Sequence, residues 1–306
     1  MKEKILLYLK GVAMGSADVV PGVSGGTIAF ISGIYDTLLS SIQAIDFVAF
    51  KLLLSFRLKD FWQKINGNFL VILFAGIATS ILSLAKIVTW LIEHQPVFIW
   101  SFFFGLVVAS AVTVALKIKS WNVLVVLFGT IGIAIAYYVT VATPAETPES
   151  LWFIFICGAV AICAMILPGI SGSFILLLMK KYHFIMASLT SFKLSVIITF
   201  GLGCVAGLLS FSRILKFLLR KYHDATIALL TGFMVGSLNA VWPWKQVTQT
   251  YTDRHGVVKP LIQTNVSPFE YTQITGLPNE LVVACILAVI GVIVVLFIEK
   301  FSATEK

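Results

Sequence analysis

Apolar residues run along this chain in long blocks, with polar and charged residues confined to short stretches between them. Blocks at about 68–92, 97–116, 121–142, 194–218, 225–243 and 280–299 approach or exceed the ~20 apolar residues that a helix needs to cross hydrocarbon. The pattern predicts an all-α polytopic membrane protein with about six full transmembrane spans. Residues 46–66 follow another pattern, with Lys51, Arg57, Lys59 and Lys64 set among aromatic and aliphatic residues. That mixture marks an amphipathic helix lying at the membrane interface. Residues 244–277 are polar, with Asp253-Arg254-His255-Gly256 as a turn, and predict an external loop or a small hairpin.

Two interruptions stand where helix would otherwise continue. They are Val20-Pro21-Gly22-Val23-Ser24-Gly25-Gly26-Thr27 and Leu167-Pro168-Gly169-Ile170-Ser171-Gly172-Ser173-Phe174. Proline has no backbone donor and clashes with the preceding turn, and each glycine costs a helix roughly 1 kcal/mol. Helix breaks are therefore predicted at Pro21 and Gly22 and at Pro168 and Gly169. Neither 4–17 nor 25–43 is long enough to cross alone, so residues 4–43 are predicted to dip in and return as a re-entrant hairpin. Residues 151–191 form its second copy. Broken backbone at membrane depth is tolerated only where protein buries it or where it lines a cavity. Paired breaks in two halves of a chain point to a transporter's binding site.

The halves correspond position by position. Pro21 and Pro168 lie 147 positions apart, as do Gly22 and Gly169, Ser24 and Ser171, Gly25 and Gly172, and Tyr35 and Tyr182. Further on, the separation is 127, pairing Gly76 with Gly203, Ser83 with Ser210, Lys86 with Arg213, Gly105 with Gly232 and Ser110 with Ser237. The difference of 20 positions matches the extra amphipathic helix of the first half. Repeat one covers 4–116 and repeat two covers 151–243, with 121–142 as the connecting span and 280–299 as the final one.

Charge assigns sides to these segments. Lys51 to Lys64 and the Lys117/Lys119 turn are expected in the cytoplasm, and Glu93-His94-Gln95-Pro96 and the Thr143–Ser150 turn outside. Repeat one then starts inside and repeat two outside. The repeats are inverted, and their two tips should meet near the mid-plane. Both termini are expected in the cytoplasm.

Composition narrows the class. The chain is 59% hydrophobic and 12% charged, with a mean hydropathy of +0.99. Soluble domains carry about 25% charge, so a soluble protein is excluded. The net charge of +8 lies in short runs between apolar blocks, which suits loops facing anionic lipid rather than nucleic acid. No cleavable signal peptide is expected, because Lys2, Lys4 and Lys10 punctuate the first segment. Cys157, Cys163, Cys204 and Cys285 lie in apolar stretches, and His183, His223 and His255 share no spacing. No metal or cofactor is expected. Trp242-Pro243-Trp244 reads as an aromatic anchor at the interface.

The run from Gly11 to Thr27 with Asp18 inside it, the following Gly33-Ile34-Tyr35-Asp36 and the second motif Leu167–Ser173 together resemble the polyprenyl-phosphate transporter family, formerly a domain of unknown function. The resemblance covers essentially the whole chain. It departs at Lys180-Lys181-Tyr182-His183, where the first repeat has Gly33-Ile34-Tyr35-Asp36. It implies a translocase that returns undecaprenyl phosphate, the lipid carrier of cell-wall precursors, from the outer to the cytoplasmic leaflet of a bacterial inner membrane.

That cargo carries an ionised phosphate on an isoprenoid tail. The tail can stay in lipid, so only the head group needs a polar route. Unpaired N–H groups where helix resumes after each break carry the positive end of a helix dipole and suit an anion. Gly25, Gly26 and Gly172 let oxygen atoms approach that backbone, and Ser24, Thr27, Ser171 and Ser173 add hydroxyls. The alternative is that these small residues only let helices pack closely. Lys86 and Arg213, equivalent positions inside apolar spans, are candidates to neutralise the phosphate, against simple snorkelling to an interface. Asp18 can bind a coupling proton or sodium ion, pair with Lys86 or Arg213, or cap the broken backbone. The number of subunits is open.

Two other classes compete. An undecaprenyl-pyrophosphate phosphatase also uses inverted repeats and Pro-Gly-x-Ser turns, but its resemblance implies paired glutamates and an arginine in the turn. Ser24-Gly25-Gly26 and Ser171-Gly172-Ser173 carry neither. Hydrolysis would need an activated nucleophile or a metal, and the sequence offers no such arrangement. An ion or small-anion secondary transporter of similar architecture is the third class.

Overall fold

The computed structural model describes residues 2–19, 24–142, 147–252 and 258–303. The Asp253–Gly256 turn, part of the Thr143–Ser150 turn and His255 lie outside them. The first half contains α1 (Lys2–Asp18), α2 (Gly25–Ile31), α3 (Tyr35–Gln43), α4 (Phe47–Leu54), α5 (Leu58–Lys64), α6 (Gly67–His94) and α7 (Pro96–Ala115). After α8 (Val123–Val141) come α9 (Leu151–Ile166), α10 (Gly172–Leu178), α11 (Tyr182–Thr190), α12 (Leu194–Lys221) and α13 (His223–Ser237). The strands β1 (Lys245–Thr252) and β2 (Val258–Asn265), then α14 (Pro268–Thr275) and α15 (Leu281–Ala303), complete the chain. The protein is a multi-pass, mostly helical membrane protein.

Among the described residues, five helices are long and apolar enough to cross a membrane: α6, α7, α8, α12 and α15. This is one fewer than the sequence pattern suggests. The block at 225–243 yields only the 15-residue α13, about 22 Å long, because the chain turns off at Leu238 ahead of Asn239 and Pro243. The stretch 46–66 is likewise two helices. α4 stops at Ser55, Phe56 takes a left-handed conformation (φ 53°), and α5 begins at Leu58. α3 and α4 together reach a span's length only with a 60° bend between them. The polar stretch after α13 forms an antiparallel ribbon, β1 against β2, followed by α14 with a Ser267/Glu270 capping box.

Burial identifies the centre. In α7, 67% of the span is buried, against 17% for α8, α12 and α15. α7 is therefore a core helix, and the other three present most of their apolar surface outward, as lipid-facing helices do. α13 packs on α7, and its Ala225, Ile227, Leu230, Phe233 and Met234 are all buried.

Four close pairings build the bundle: α1 on α6, α9 on α12, α8 on α13 and α15 on α7. Each is made at glycines that let backbones touch, and a side chain there would press into a carbonyl of the facing helix. Gly11 faces Leu73, Gly158 faces Phe200, Gly232 faces Gly129, and Gly291 faces Phe102. Gly11 and Gly158 lie 147 positions apart, so the first two contacts use corresponding residues. The helix at 121–142 is more than a connector, since it packs along α13 as α15 packs along α7. Element lengths also recur. α2 and α10 have seven residues each, α3 and α11 nine, and α6 and α12 28.

Polar contacts gather at the two ends of the bundle. At the end bearing the α7–α8 turn, Asp224 accepts from the Ser120 N–H (2.9 Å) and hydroxyl (2.9 Å), and the Lys117 ammonium donates to the Phe30 carbonyl (3.3 Å). At that same end α3 is tied to α12. The Gln43 amide donates to the Ser212 carbonyl (2.7 Å), and the Lys216 ammonium to the Ser40 hydroxyl (2.8 Å). At the ribbon end, Trp244 donates to the Asn279 carbonyl (2.7 Å), and the Lys245 ammonium sits 4.1 Å from the Trp100 ring centre. Burial there holds the Lys245 pKa down at about 8.

The glycine contacts give a direct test. Gly203→Leu should lower stability by about 1–3 kcal/mol, because the new side chain meets the Phe155 carbonyl. Gly201→Leu, two residues away in open space, should leave the thermal midpoint in detergent unchanged.

Candidate functional site

The two interrupted stretches lie against one another. Pro21 and Gly22 fall outside the described residues, but both flanks of the first break are defined. α1 ends at Asp18 and α2 starts at Gly25, behind an extended Ser24. The Asp18 carboxylate accepts from the Gly25 N–H (2.7 Å), and the Ser24 hydroxyl accepts from the Gly26 N–H (3.1 Å). These bonds satisfy two of the donors that a helix start leaves open. A side chain at Gly25 would come within 2.5 Å of the Asp18 carboxylate, so glycine is what lets the acid reach the backbone.

The second break is built differently. α9 ends at Ile166, Leu167 turns extended, and Gly169 takes φ +84°, a conformation that residues with a side chain rarely adopt, and a side chain there would press on the Phe233 carbonyl. Pro168 holds the kink between them. Ser171 occupies the capping position of α10, yet its hydroxyl pairs with that of Ser173 (2.8 Å) and leaves the backbone uncapped. Gly172 packs within reach of the Ala161 carbonyl and the Met165 side chain.

Ending a helix inside a bundle orphans its last carbonyls. Here the first break satisfies those of the second. The Ser24 hydroxyl donates to the Met165 carbonyl (2.9 Å), and the Tyr35 hydroxyl donates to the Ile166 carbonyl (3.1 Å). In the other direction, the Gly169 N–H donates to the Thr27 hydroxyl (3.2 Å). Gly26 allows this approach, since a side chain there would lie 2.5 Å from the Ile166 carbonyl. Ser24 and Thr27 are each 1% exposed and Ser171 7%, so these hydroxyls are closed off from solvent. The hydroxyls expected to face a ligand, Ser24, Thr27, Ser171 and Ser173, are engaged within the protein.

Lys86 and Arg213 sit elsewhere. Both are exposed, eight residues before the last residue of α6 and of α12 respectively, about 12 Å along the axis. Among the described residues neither makes an ion pair, and Asp18 pairs with neither. Asp18 is placed as a cap on α2. Tyr35 is the residue that sequence reasoning did not place in the site. Its pairing with Tyr182 across the repeat was the available signal, but nothing in the pattern told that its hydroxyl crosses to the other break.

A polytopic bundle in which two broken helices exchange hydrogen bonds at buried backbone is of a kind that membrane transporters use. Comparison with known proteins makes the class specific. The chain belongs to the undecaprenyl phosphate translocase-like family, whose model matches residues 14–259. It is 47% identical to the polyprenyl-phosphate transporter of Vibrio cholerae serotype O1, over 96% of both chains. It is 34% identical to the polyprenyl-phosphate transporter of Staphylococcus aureus, over 78% of this chain and 87% of that one. No solved structure matches it.

The junction predicts the effect of one near-isosteric change. Thr27→Val keeps the packing and strands the buried Gly169 N–H, which should cost about 1–3 kcal/mol. Thermal unfolding of the purified protein in detergent would register it.

Proposed function

We propose that this protein is a polyprenyl-phosphate translocase that returns undecaprenyl phosphate from the outer to the cytoplasmic leaflet by alternating access. It would act in the bacterial inner membrane with both termini in the cytoplasm. The observation that carries the reading is the exchange of hydrogen bonds between the two breaks. Those bonds hold the junction closed, and they involve the groups an anion would need. When the tips part, the Ser24 and Tyr35 hydroxyls and the Gly169 N–H lose their partners and become donors. The N–H groups of Gly25, Gly26 and Gly172 and the hydroxyls of Thr27, Ser171 and Ser173 complete a cradle for phosphate oxygens. The Met165 and Ile166 carbonyls would repel phosphate, so head group and closed junction exclude each other.

Several features support inverted repeats with two re-entrant hairpins. Corresponding helices share their lengths and their glycine contacts. Thr147, just ahead of α9, donates to the Met179 carbonyl at the end of α10, so this arm leaves and returns at one end. The tie of α3 to α12 has no hydrogen-bonded counterpart between α11 and α6 among the described residues. Thr190, the counterpart of Gln43, bonds within its own helix. Hydrogen bonds that, among the described residues, tie one end and not the other suit one stage of alternating access.

Lys86 and Arg213 would meet the head group as it passes the outer and inner thirds of the bilayer. Asp18, released from Gly25 when the junction opens, would be the group that takes up a coupling proton or sodium ion. The same architecture without a nucleophile and base at the turns argues for transport over phosphate-ester hydrolysis.

In proteoliposomes, the protein should move a fluorescent polyprenyl phosphate between leaflets without releasing inorganic phosphate. Arg213→Ala should abolish that movement while the protein remains inserted and folded. Normal movement in this variant would remove Arg213 from the mechanism, and release of phosphate would favour an enzyme.

A further inference from the structure

One cleft at the α7–α8 end has a repeat counterpart of opposite chemical character. The cleft, about 320 Å³, is lined by Asp36, Thr37, Ser40, Ser41, Lys64 and Asn66. Its Lys64 is already paired with Asp46 at 3.0 Å. Positions 147 further on from Asp36, Thr37 and Ser41 are His183, Phe184 and Ser188, and the position 127 beyond Asn66 is Lys193. Asn66 and Lys193 each open a 28-residue helix. The correspondence holds in space, because the Lys193 ammonium lies 6.0 Å from the centre of the Phe184 ring. A second ammonium, that of Lys181, lies 5.9 Å from the same ring.

Lys181 is the informative member. It is 4% exposed, and its ammonium donates to the Thr147 carbonyl at 2.7 Å. Among the described residues no carboxylate pairs with it, and Glu149, two residues beyond Thr147, does not reach it. A buried ammonium held by one carbonyl and an aromatic face retains donors for an anion. Lys193 is exposed at the rim. On the sidedness proposed above, this cluster faces outward, where lysine is disfavoured in membrane proteins. Lysines kept there against that bias need a role.

We propose that Lys181 and Lys193, flanking Phe184, form a capture site for the phosphate monoester of a polyprenyl lipid in the outer leaflet, ahead of the junction between the broken helices. The inference rests on the transporter reading and deepens it by naming where the head group first binds. Phe184 supplies an apolar floor between the two ammonium groups, and Lys181 and Lys193 supply charge-assisted bonds to phosphate oxygens. In the mirror-related cleft Ile34 stands in place of Lys181 and Asn66 in place of Lys193, and the ammonium groups present, Lys64 and Lys216, are bonded to Asp46 and Ser40, so binding is biased to one face.

The test uses the full-length protein in proteoliposomes, with uptake of polyprenyl phosphate measured against its concentration in the outer leaflet. Lys193→Gln, an exposed change that should not disturb folding, and Lys181→Gln should each raise the concentration for half-maximal uptake by about tenfold. The maximal rate should stay near that of the unsubstituted protein. Lys193→Arg should restore the wild-type value, and high salt should erase the difference for Lys193→Gln. Lys193→Cys in intact cells should react with a membrane-impermeant maleimide. Unchanged concentration dependence in Lys193→Gln, or labelling only after the cells are opened, would overturn capture while leaving transport standing. Inorganic phosphate competing as well as the lipid would make free phosphate the ligand and overturn it too. No uptake by the unsubstituted protein would bring down the transporter reading and this inference with it.

Discussion

A bilayer offers no water to a helix that stops halfway, so every backbone group freed by a break must find a partner inside the protein. That constraint organises this molecule. α9 ends at Ile166 with carbonyls exposed, and side chains of the other broken segment, Ser24 and Tyr35, supply the donors. Asp18 and Ser24 in turn close the start of α2. The helix start after the first break is closed within its own segment, whereas the second break is completed by side chains of the first. The pairings of α1 with α6 and of α9 with α12 hold the two segments in place for this exchange.

In the proposed transport cycle the same constraint would give the junction two states. Closed, its polar groups satisfy one another and exclude water. Open, they require a replacement that brings several acceptors at once, and a phosphate does so. A neutral lipid head with one hydroxyl would leave most of the donors unsatisfied, which is how a site of backbone and hydroxyl donors can select an anion without a resident cation. The lysines near Phe184, and Lys86 and Arg213 along the route, would on this proposal act on approach and passage rather than at the junction. Charge at the edges and neutral donors at the centre would let the head group bind and still leave.

Much of the architecture was legible in the pattern. Block lengths located α6, α7, α8, α12 and α15, and the repeated Pro-Gly-x-Ser placed both breaks, because proline and glycine act on backbone locally. Where the pattern failed, long-range geometry decided. An apolar block at 225–243 looked like a span, yet the helix ends at Ser237, where Leu238 begins a series of turns. The interfacial stretch read as one helix because its composition is uniform, and only the left-handed Phe56 divides it. At the site, Ser24 and Thr27 were identified by type and position. That their hydroxyls are occupied by Met165 and Gly169 could not be foreseen, since it depends on how two segments more than 140 residues apart dock. Tyr35 escaped for the same reason.

The central claim is that the two breaks part to admit the head group. Double electron–electron resonance between spin labels at Thr37→Cys on α3 and Met186→Cys on α11, the helices that follow the two tips, tests it most directly. In vesicles shown to be transporting, polyprenyl phosphate should add a second, distinct distance to the one seen without lipid. A single distance that stays the same with and without the lipid, in protein that is moving it, would contradict the account.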